Sequence, residues 1–265
     1  MKITSRDNSL LRRARAVRDG KDETSIFVEG LRLCEEALRS GLKIEAVIYA
    51  EQISRKARAA DLIGKLGEVC TKLASVSEKL LDSVSYTRTP QGIVLLATRP
   101  ASDEATFKAR QPSSPQLVVM HGINNPVNVG AILRTAEAAG VTGAIATGST
   151  SDPFSPKALR GAMGSAFRLP IWTGMEYSAA IAWCAERGIR TIGASARAPR
   201  LFTEVDWRGA TALIVGAESS GLSSDELAAA GEAVRISMLG AVESLNVAVA
   251  TGIMLYEAAR QKAEK

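Results

Sequence analysis

Apolar and polar positions divide the chain into two successive parts, each of which combines strands and helices. In the first part, short apolar runs predict strands at 26–28, 44–49 and 92–97. Apolar residues at helical spacing predict helices near 30–40 and over 54–66. Together these elements form a small α/β unit of about a hundred residues, which is a common domain size. We place this first domain at residues 1–98.

The second part begins with the continuous apolar run 117–120, which is typical of a central strand in a parallel sheet. Further strands are predicted at 143–147, 190–194, 212–216 and 233–237. Helices are predicted at 128–139, 177–187 and 224–230. Alternating strands and helices predict a parallel sheet with helices on both faces. Ligands of such sheets bind beyond the carboxyl ends of the strands.

A proline-rich segment separates the two parts. Residues 99–115 contain three prolines, several small polar residues and little periodicity, so we predict an interdomain linker there. The second domain then covers residues 116–265.

The last predicted helix covers residues 245–260. Leu245, Val249, Ile253 and Tyr256 recur at near-helical spacing, so one face should be buried, either in the core or in an interface. Ser244 stands where an N-cap residue belongs. The residues around it are more polar than one cap requires, which favours a functional site.

Composition and cysteine content narrow the classes of protein. The chain is 46% hydrophobic and 23% charged, as in ordinary globular proteins, and no run approaches the ~18 apolar residues of a membrane span. The first residues lack an apolar signal core, so we expect a cytoplasmic protein. Three isolated cysteines argue against disulfides and against a metal site. His121 is the only histidine, lies at a predicted strand end, and is interpreted as structural.

The positive charge is concentrated in two segments. Residues 1–21 hold seven basic side chains, Arg12 and Arg13 among them, against Asp7 and Asp19. Residues 153–175 hold Lys157, Arg160 and Arg168 and no acid. Such clusters favour a nucleic acid partner. A solvated helix face explains the charge equally well when it is considered alone.

Three loops that follow predicted strands have an unusual composition. The first carries Asn128 and Arg134 six residues apart, and an arginine there suits a phosphate. The second runs from Gly216 to Leu222 with Glu218 inside it, and the third is Ser244-Leu245-Asn246-Val247. Each alone could be simple turn chemistry. No G-x-G-x-x-G or Walker A pattern is present, so an ordinary Rossmann nucleotide enzyme lacks its fingerprint.

In this order the three motifs resemble those of the SpoU/TrmH-type RNA ribose 2′-O-methyltransferases of the SPOUT superfamily. The segment from Ser155 to Pro170 resembles the family's sequence between its first two motifs, and Ile3-Thr4-Ser5, Phe27-Val28-Glu29-Gly30 and Pro90-Gln91-Gly92-Ile93 resemble its N-terminal domain. The resemblance covers nearly the whole chain. Two departures are Asn125, where the family usually has Asp, and Ser219-Ser220, where a glycine-containing pair is commoner.

The resemblance implies a fold that periodicity cannot reveal. It implies an α/β protein whose C-terminal parallel sheet carries a deep trefoil knot, preceded by a small α/β RNA-binding domain of the ribosomal-protein type. It also implies a homodimer with an active site completed across the interface. S-adenosylmethionine would be bound by the knot loops, and no metal is needed because a methyl group on a sulfonium is already activated.

The resemblance also implies roles for individual residues. Arg134 would be catalytic, and because an arginine is ordinarily always protonated, we expect it to bind a phosphate and stabilise the emerging oxyanion. The surrounding hydrogen-bond network would comprise Asn128, Glu218, Ser244 and Asn246. Cofactor contacts would come from Gly216, Ile236, Met238 and Leu245. The RNA path would be lined by Lys157, Arg160, Arg168, Arg12 and Arg13.

The sequence therefore predicts S-adenosylmethionine-dependent methyl transfer to a ribose 2′-hydroxyl of structured RNA, with ribosomal RNA ahead of tRNA. A tRNA methyltransferase is one alternative. A non-catalytic RNA-binding or ribosome-assembly factor on the same fold is another, although the intact Arg134, Glu218, Ser244 and Asn246 argue against it.

Overall fold

A computed structural model describes residues 1–264. The chain folds into two compact units. Unit 1 comprises Met1–Pro100 and Phe154–Arg168, and unit 2 comprises Ala101–Pro153 and the residues from Leu169 onward. The sequence prediction put 154–168 in the second domain, whereas the structure packs this segment into unit 1. The reason is local burial, since Ala158, Leu159 and Ala162 are fully covered.

The elements alternate between strands and helices along most of the chain. The strands are β1 Ser25–Glu29, β2 Ile44–Ala50, β3 Leu73–Val76, β4 Ile93–Thr98, β5 Gln116–His121, β6 Gly143–Thr147, β7 Ile171–Met175, β8 Arg190–Ala194, β9 Arg200–Leu201, β10 Thr211–Val215 and β11 Glu232–Arg235. The helices are α1 Ser9–Arg18, α2 Leu31–Arg39, α3 Ala57–Val69, α4 Glu78–Asp82, α5 Glu104–Ala109, α6 Pro126–Ala138, α7 Pro156–Ala162, α8 Ser165–Arg168, α9 Tyr177–Glu186, α10 Ser224–Ala229 and α11 Val247–Ala263. Short 3-10 turns occur at Glu51–Arg55 and Phe202–Glu204. Among the described residues, every helix is too short or too polar to cross a lipid bilayer.

Unit 1 is built on a four-stranded mixed sheet with the strand order β1-β4-β2-β3. Strand β4 pairs antiparallel with β1 and β2, and β2 pairs parallel with β3. Helix α1 packs its Leu11, Ala14 and Val17 against the apolar side chains of this sheet. The apolar runs therefore predicted the central strands, whereas the basic helix α1 was recognised only as a charged segment.

Unit 2 contains seven parallel strands in the order β7-β6-β5-β10-β8-β11-β9, which confirms the predicted parallel sheet. The segment 99–115, predicted as a linker, forms α5 and buries Phe107 in the core of unit 2. The ring centroid of Phe107 lies 5.8 Å from that of Trp172 and 5.7 Å from that of Trp183. The trefoil knot that the resemblance implies stays a prediction.

The register of the parallel strands brings their carboxyl ends to one edge of the sheet. Met120 pairs with Val215, His121 with Thr147, and Val234 with Ala194. The loops that carry the three sequence motifs leave the sheet from this edge. We call it the motif edge, defined by the residues that follow β5, β6, β8, β10 and β11.

Helix α11 differs from its prediction in its start and in its buried face. Its N-cap is Asn246, whose side chain accepts hydrogen bonds from the backbone N–H groups of Ala248 and Val249, so the assignment of Ser244 as the cap was wrong. The buried residues are Thr251, Met254, Leu255 and Ala258. Val249 is 51% exposed and Tyr256 55% exposed, so the predicted face does not lie in the core. The helix has two apolar stripes, and spacing alone could not decide which one packs inward.

Candidate functional site

Three helices begin at the motif edge, and each start is capped by a polar side chain. Asn125 caps α6 by accepting from the backbone N–H of Val127 at 3.0 Å. Ser223 accepts from the N–H of Glu226 at 3.2 Å and caps α10, and Asn246 caps α11. An asparagine offers the same side-chain acceptor as the family's usual aspartate, so the departure at Asn125 leaves the cap intact.

Side chains from all three motifs meet in one hydrogen-bonded network. Asn128, in the first turn of α6, donates its amide N–H to a carboxylate oxygen of Glu218 from the second motif. Asn246 donates its amide N–H to the amide oxygen of Asn128 at 3.2 Å. Asn128 is almost fully buried, at 6% exposure of the whole residue. The structure therefore brings together three of the five predicted catalytic residues.

The orientation of the two amides in this network follows from their partners. The Asn246 oxygen caps α11, so its nitrogen must face Asn128. The Asn128 oxygen accepts that bond, and its nitrogen is left to face Glu218, whose carboxylate can only accept. In each bond between these three side chains, an amide N–H thus faces an oxygen acceptor. A network satisfied in this way holds its members in one arrangement.

The second motif forms a tight loop after β10. A Cβ on Gly216 would lie 2.5 Å from the backbone carbon of Gly221, so only glycine allows the loop to close on itself. The N–H of Gly221 donates to the carbonyl of Ala217 at 2.8 Å, and Gly221 has a φ of +67°. The two glycines are therefore required by the loop itself, which fixes where Glu218 leaves the sheet.

Arg134 is exposed on α6 and stands apart from the network. Its side chain makes no hydrogen bond or ion pair with any residue between 1 and 264. Arg134 lies six residues after Asn128, which places the two side chains roughly 120° apart around the helix axis. It lies seven residues after Val127, which places those two side chains within about 20° of each other. Val127 is itself 43% exposed. The guanidinium is therefore available to a ligand on an open, partly apolar face of α6.

The predicted cofactor residues line the motif edge. Ile236 follows β11 directly, and the side chains of Ile236, Met238 and Leu245 are each half-buried. Between residues 237 and 245, no described backbone N–H donates to another backbone carbonyl. These main-chain groups are thus available to an adenosine-like ligand beside apolar side chains, which fits backbone recognition of the predicted cofactor. Ser244 is exposed and lies outside the network.

The five predicted RNA-binding residues fall into two groups. Arg12, Lys157 and Arg160 are exposed, and none has a carboxylate partner among the described residues. Arg13 donates to Ser25 at 2.7 Å and pairs with Glu45, and Arg168 pairs with Glu36 at 2.7 Å. The second group therefore holds together parts of unit 1.

Sequence reasoning did not find the partners of His121 at the end of β5. Its ring nitrogens lie 2.8 Å from the hydroxyl of Thr147 and 3.0 Å from a carboxylate oxygen of Glu226. The ring packs against Tyr177, with 4.6 Å between ring centroids. The one available signal was Ser223-x-x-Glu226, a capping-box pattern that marks the start of α10.

Comparison with known proteins adds two matches to family models. The model of the SpoU rRNA Methylase family matches residues 115–256, and that of the MRM3-like substrate binding domain matches residues 10–95. Both matches agree with the resemblance read from the motifs.

Similar proteins extend along nearly the full chain. An uncharacterized tRNA/rRNA methyltransferase of Synechocystis is 31% identical over 263 residues, which cover 98% of this chain and 94% of the relative. The 23S rRNA (guanosine-2′-O-)-methyltransferase RlmB of Vibrio vulnificus is 31% identical over 245 residues, which cover 89% and 97%. The crystal structure of an AdoMet-bound rRNA methyltransferase from Sinorhizobium meliloti has a TM-score of 0.84 at 30% identity, covering 98% and 97%.

Proposed function

The chain belongs to the SpoU rRNA methylase family, and we propose that it methylates a ribose 2′-hydroxyl of ribosomal RNA. It is an RNA 2′-O-methyltransferase that uses S-adenosylmethionine as the methyl donor. The observation that carries the assignment to the motif edge is the Asn128–Glu218–Asn246 network. It joins all three motifs and leaves the guanidinium of Arg134 without a partner among the described residues.

The chemistry of the transfer favours a site that positions its reactants. When bound, S-adenosylmethionine supplies a methyl group on a sulfonium. Alignment of reacting groups can lower a barrier by about 7–11 kcal/mol, whereas a general base contributes about 3–5 kcal/mol. A hydrogen-bonded network that joins the three motif loops around the buried Asn128 provides such positioning. The lone histidine is already bonded through both nitrogens, so it does not serve as a base.

We assign roles to the residues of the motif edge on this basis. Arg134 binds the phosphate next to the target ribose and stabilises the negative charge that develops on the 2′-oxygen. Asn128, Glu218 and Asn246 hold the three motif loops in register. The methyl donor is held by main-chain groups at Gly216, Ile236 and Met238 and by the side chain of Leu245. Ser244 is exposed two residues before Asn246, and we assign its hydroxyl to contact with the RNA substrate.

We assign RNA contacts to unit 1 as well as to the motif edge of unit 2. The MRM3-like model covers most of unit 1 outside residues 154–168, and this match supports a substrate-binding role there. We propose that Arg12, Lys157 and Arg160 contact phosphates, because their charges have no partner among the described residues. Arg13 and Arg168 are left out of this set, since their guanidinium groups are bonded to carboxylates. Ribosomal RNA ranks ahead of tRNA because RlmB relatives act on 23S rRNA.

We also propose that the protein is a homodimer through the exposed faces of α6 and α11. Val249, Ile253 and Tyr256 form a continuous apolar stripe, with 51%, 37% and 55% exposure. Arg134 shares an open face of α6 with Val127, so dimerisation would place it beside the partner's motif edge. Val249→Asp should give a monomer in sedimentation equilibrium with lower activity. Val69→Asp, which alters another exposed apolar side chain, should leave the oligomeric state unchanged.

The cytoplasm is the compartment we propose, since the cysteines suit reducing conditions. Cys34, Cys70 and Cys184 are free thiols and all three are buried. Burial also raises the pKa of Cys184 to about 12, which keeps it as an unreactive thiol. Fractionation of cells that produce a tagged full-length chain would test this assignment.

Methyl transfer can be tested directly. Purified protein with labelled S-adenosylmethionine should label 23S rRNA, and primer-extension stops should map to one 2′-O-methylated nucleotide. Label in tRNA alone would favour the tRNA alternative. A protein that binds no S-adenosylmethionine in a calorimetric titration and labels neither RNA would be a non-catalytic RNA-binding factor, which would overturn the proposal.

A further inference from the structure

His121 lies where two of the motif segments approach each other within unit 2. It is the last residue of β5, four residues before Asn125, which caps α6. Its imidazole contacts Glu226 in the first turn of α10, the helix that follows the Gly216–Leu222 loop. Gly122 lies close to that loop, since a Cβ built on it would lie 3.6 Å from the Cβ of Ala217.

Every polar atom of this cluster has a defined partner. The other carboxylate oxygen of Glu226 accepts from the backbone N–H of Ser223 at 2.7 Å, and this bond is the main reason that the pKa of Glu226 is lowered. Glu226 is therefore a carboxylate, and the nearer imidazole nitrogen must donate to it. In the neutral ring the other nitrogen then accepts from the hydroxyl of Thr147, which is fully buried. Tyr177 donates its hydroxyl to the backbone carbonyl of Glu226 at 2.7 Å.

We propose that His121 and Glu226 form a clamp that positions the Gly216–Leu222 loop and so sets the affinity for the methyl donor. The proposal rests on the proposed function for its link to the donor, but not for its effect on the loop. His121 is a positioning residue, because both ring nitrogens are occupied by protein groups and its side chain is only 19% exposed. The loop is held at its end by Leu222, which is buried in the apolar core of unit 2. The Glu218 bond to Asn128 fixes its outer part, and the clamp fixes the helix that follows it.

Three variants test the clamp. His121→Phe retains a ring against Tyr177 and removes both hydrogen bonds, whereas Glu226→Ala removes the other half of the pair. Glu226→Gln is the conservative variant. Its amide oxygen can still accept from Ser223, while its amide nitrogen donates to a histidine in the other tautomer and Thr147 accepts from that ring. This variant should therefore retain most of the clamp.

The first measurement is hydrogen–deuterium exchange of residues 216–223 without donor or RNA. A hydrogen bond to a charged group is worth enough that its loss should speed local exchange by about tenfold in His121→Phe and Glu226→Ala. Glu226→Gln should stay within about threefold of wild type on the same reasoning. The double variant His121→Phe/Glu226→Ala should exchange no faster than the faster single variant, because both remove the same interaction. Arg208→Ala, which breaks an exposed ion pair with Asp206, is the control and should leave this loop unchanged.

The second measurement separates binding from chemistry. The KM for S-adenosylmethionine should rise by about tenfold in His121→Phe, with kcat within about threefold of wild type. A displaced loop weakens binding of the donor equally in the ground state and in the transition state. A general loss of folding would instead lower the fraction of active enzyme and leave KM unchanged.

The results distinguish the clamp from the proposed function. Unchanged loop exchange in both disruptive variants, or additive effects in the double variant, overturns the clamp even if the enzyme is active. Faster loop exchange in variants of a protein that binds no donor supports the clamp on the loop and rejects the proposed function. Faster exchange with an unchanged KM overturns the link to donor affinity.

Discussion

Arg134 in unit 2 and Arg13 in unit 1 differ in the partners of their guanidinium groups. Arg13 meets a serine hydroxyl and two carboxylates, those of Asp22 and Glu45. Arg134 has no hydrogen-bonding or ionic partner among residues 1–264. Both are arginines in segments that the sequence marks as functional. Only the structure separates an arginine that holds the fold together from one that is open to a ligand.

The same difference divides the polar groups of the motif edge. The amides of Asn128 and Asn246 are occupied by protein partners, so they define geometry. The side chains of Arg134 and Ser244 are exposed and have no bonding partner among residues 1–264, so they can meet the substrate. A rigid set of bonded side chains beside a few open ones is what a positioning mechanism requires. The predictions below test this division from the largest expected effect to the smallest.

Arg134→Ala should lower methyl transfer by about a thousandfold, because it removes the charged donor that we propose stabilises the developing negative charge. Binding of S-adenosylmethionine should stay within about tenfold of wild type, since the backbone contacts remain. A radiolabel transfer assay and a calorimetric titration measure the two quantities. Arg134→Lys is the matched control, and it should recover part of the activity because the charge is kept but the bidentate geometry is lost. A variant that keeps wild-type activity would remove Arg134 from the site.

Asn128→Ala should lower kcat/KM by about 10–100-fold and unfolding free energy by about 1 kcal/mol, since it removes two hydrogen bonds whose other partners, Glu218 and Asn246, are exposed and can bond to water. Glu218→Ala should have a similar effect on activity. The double variant should be little worse than the single ones, because the residues act through one network. Urea denaturation gives the double-mutant cycle for stability, and steady-state kinetics give the cycle for kcat/KM. Strictly additive effects would mean that the two side chains work separately.

Arg13→Ala should lower unfolding free energy by about 1–2 kcal/mol after allowance for its partial exposure, and should leave RNA affinity within about twofold. Burial by itself raises the pKa of Glu45, but bonds from Thr98, Arg13 and Ser25 lower it on balance. A lowered pKa means that the pair stabilises the fold above the usual glutamate range and loses this effect as pH falls below it. The difference between variant and wild type in urea denaturation should therefore be largest near neutral pH and shrink below about pH 4.5. A large loss of RNA affinity with unchanged stability would reverse the assignment.

Lys157→Ala and Arg160→Ala should each weaken RNA binding by a few-fold and reduce the salt dependence of binding by about one unit of slope. Filter binding at several salt concentrations measures this. Arg168→Ala is the matched control from the same segment, and it should leave the slope unchanged because its charge is paired with Glu36. Equal slopes in all three variants would mean that pairing does not decide which arginines contact RNA.

Much of the fold could be read from local patterns. The apolar runs at 117–120, 143–147 and 212–216 coincide with β5, β6 and β10, because strands buried on both faces must be continuously apolar. The loop glycines and the asparagines marked the motif edge for a similar reason, since few residue types satisfy tight turns and helix starts. Local patterns did not predict that residues 154–168 pack in unit 1, because their two helices are short and β1, against which α7 packs, lies far away along the chain.

The sequence by itself determined the order of strands and helices, the parallel sheet and the three motifs, since these depend on periodicity and on residue type at nearby positions. Only the tertiary structure decided which apolar stripe of α11 packs inward, which arginines are paired, and that His121 meets Glu226. Those outcomes depend on contacts between residues as much as 132 positions apart. No local pattern encodes such a contact, because the partner is supplied by the folded arrangement of the strands.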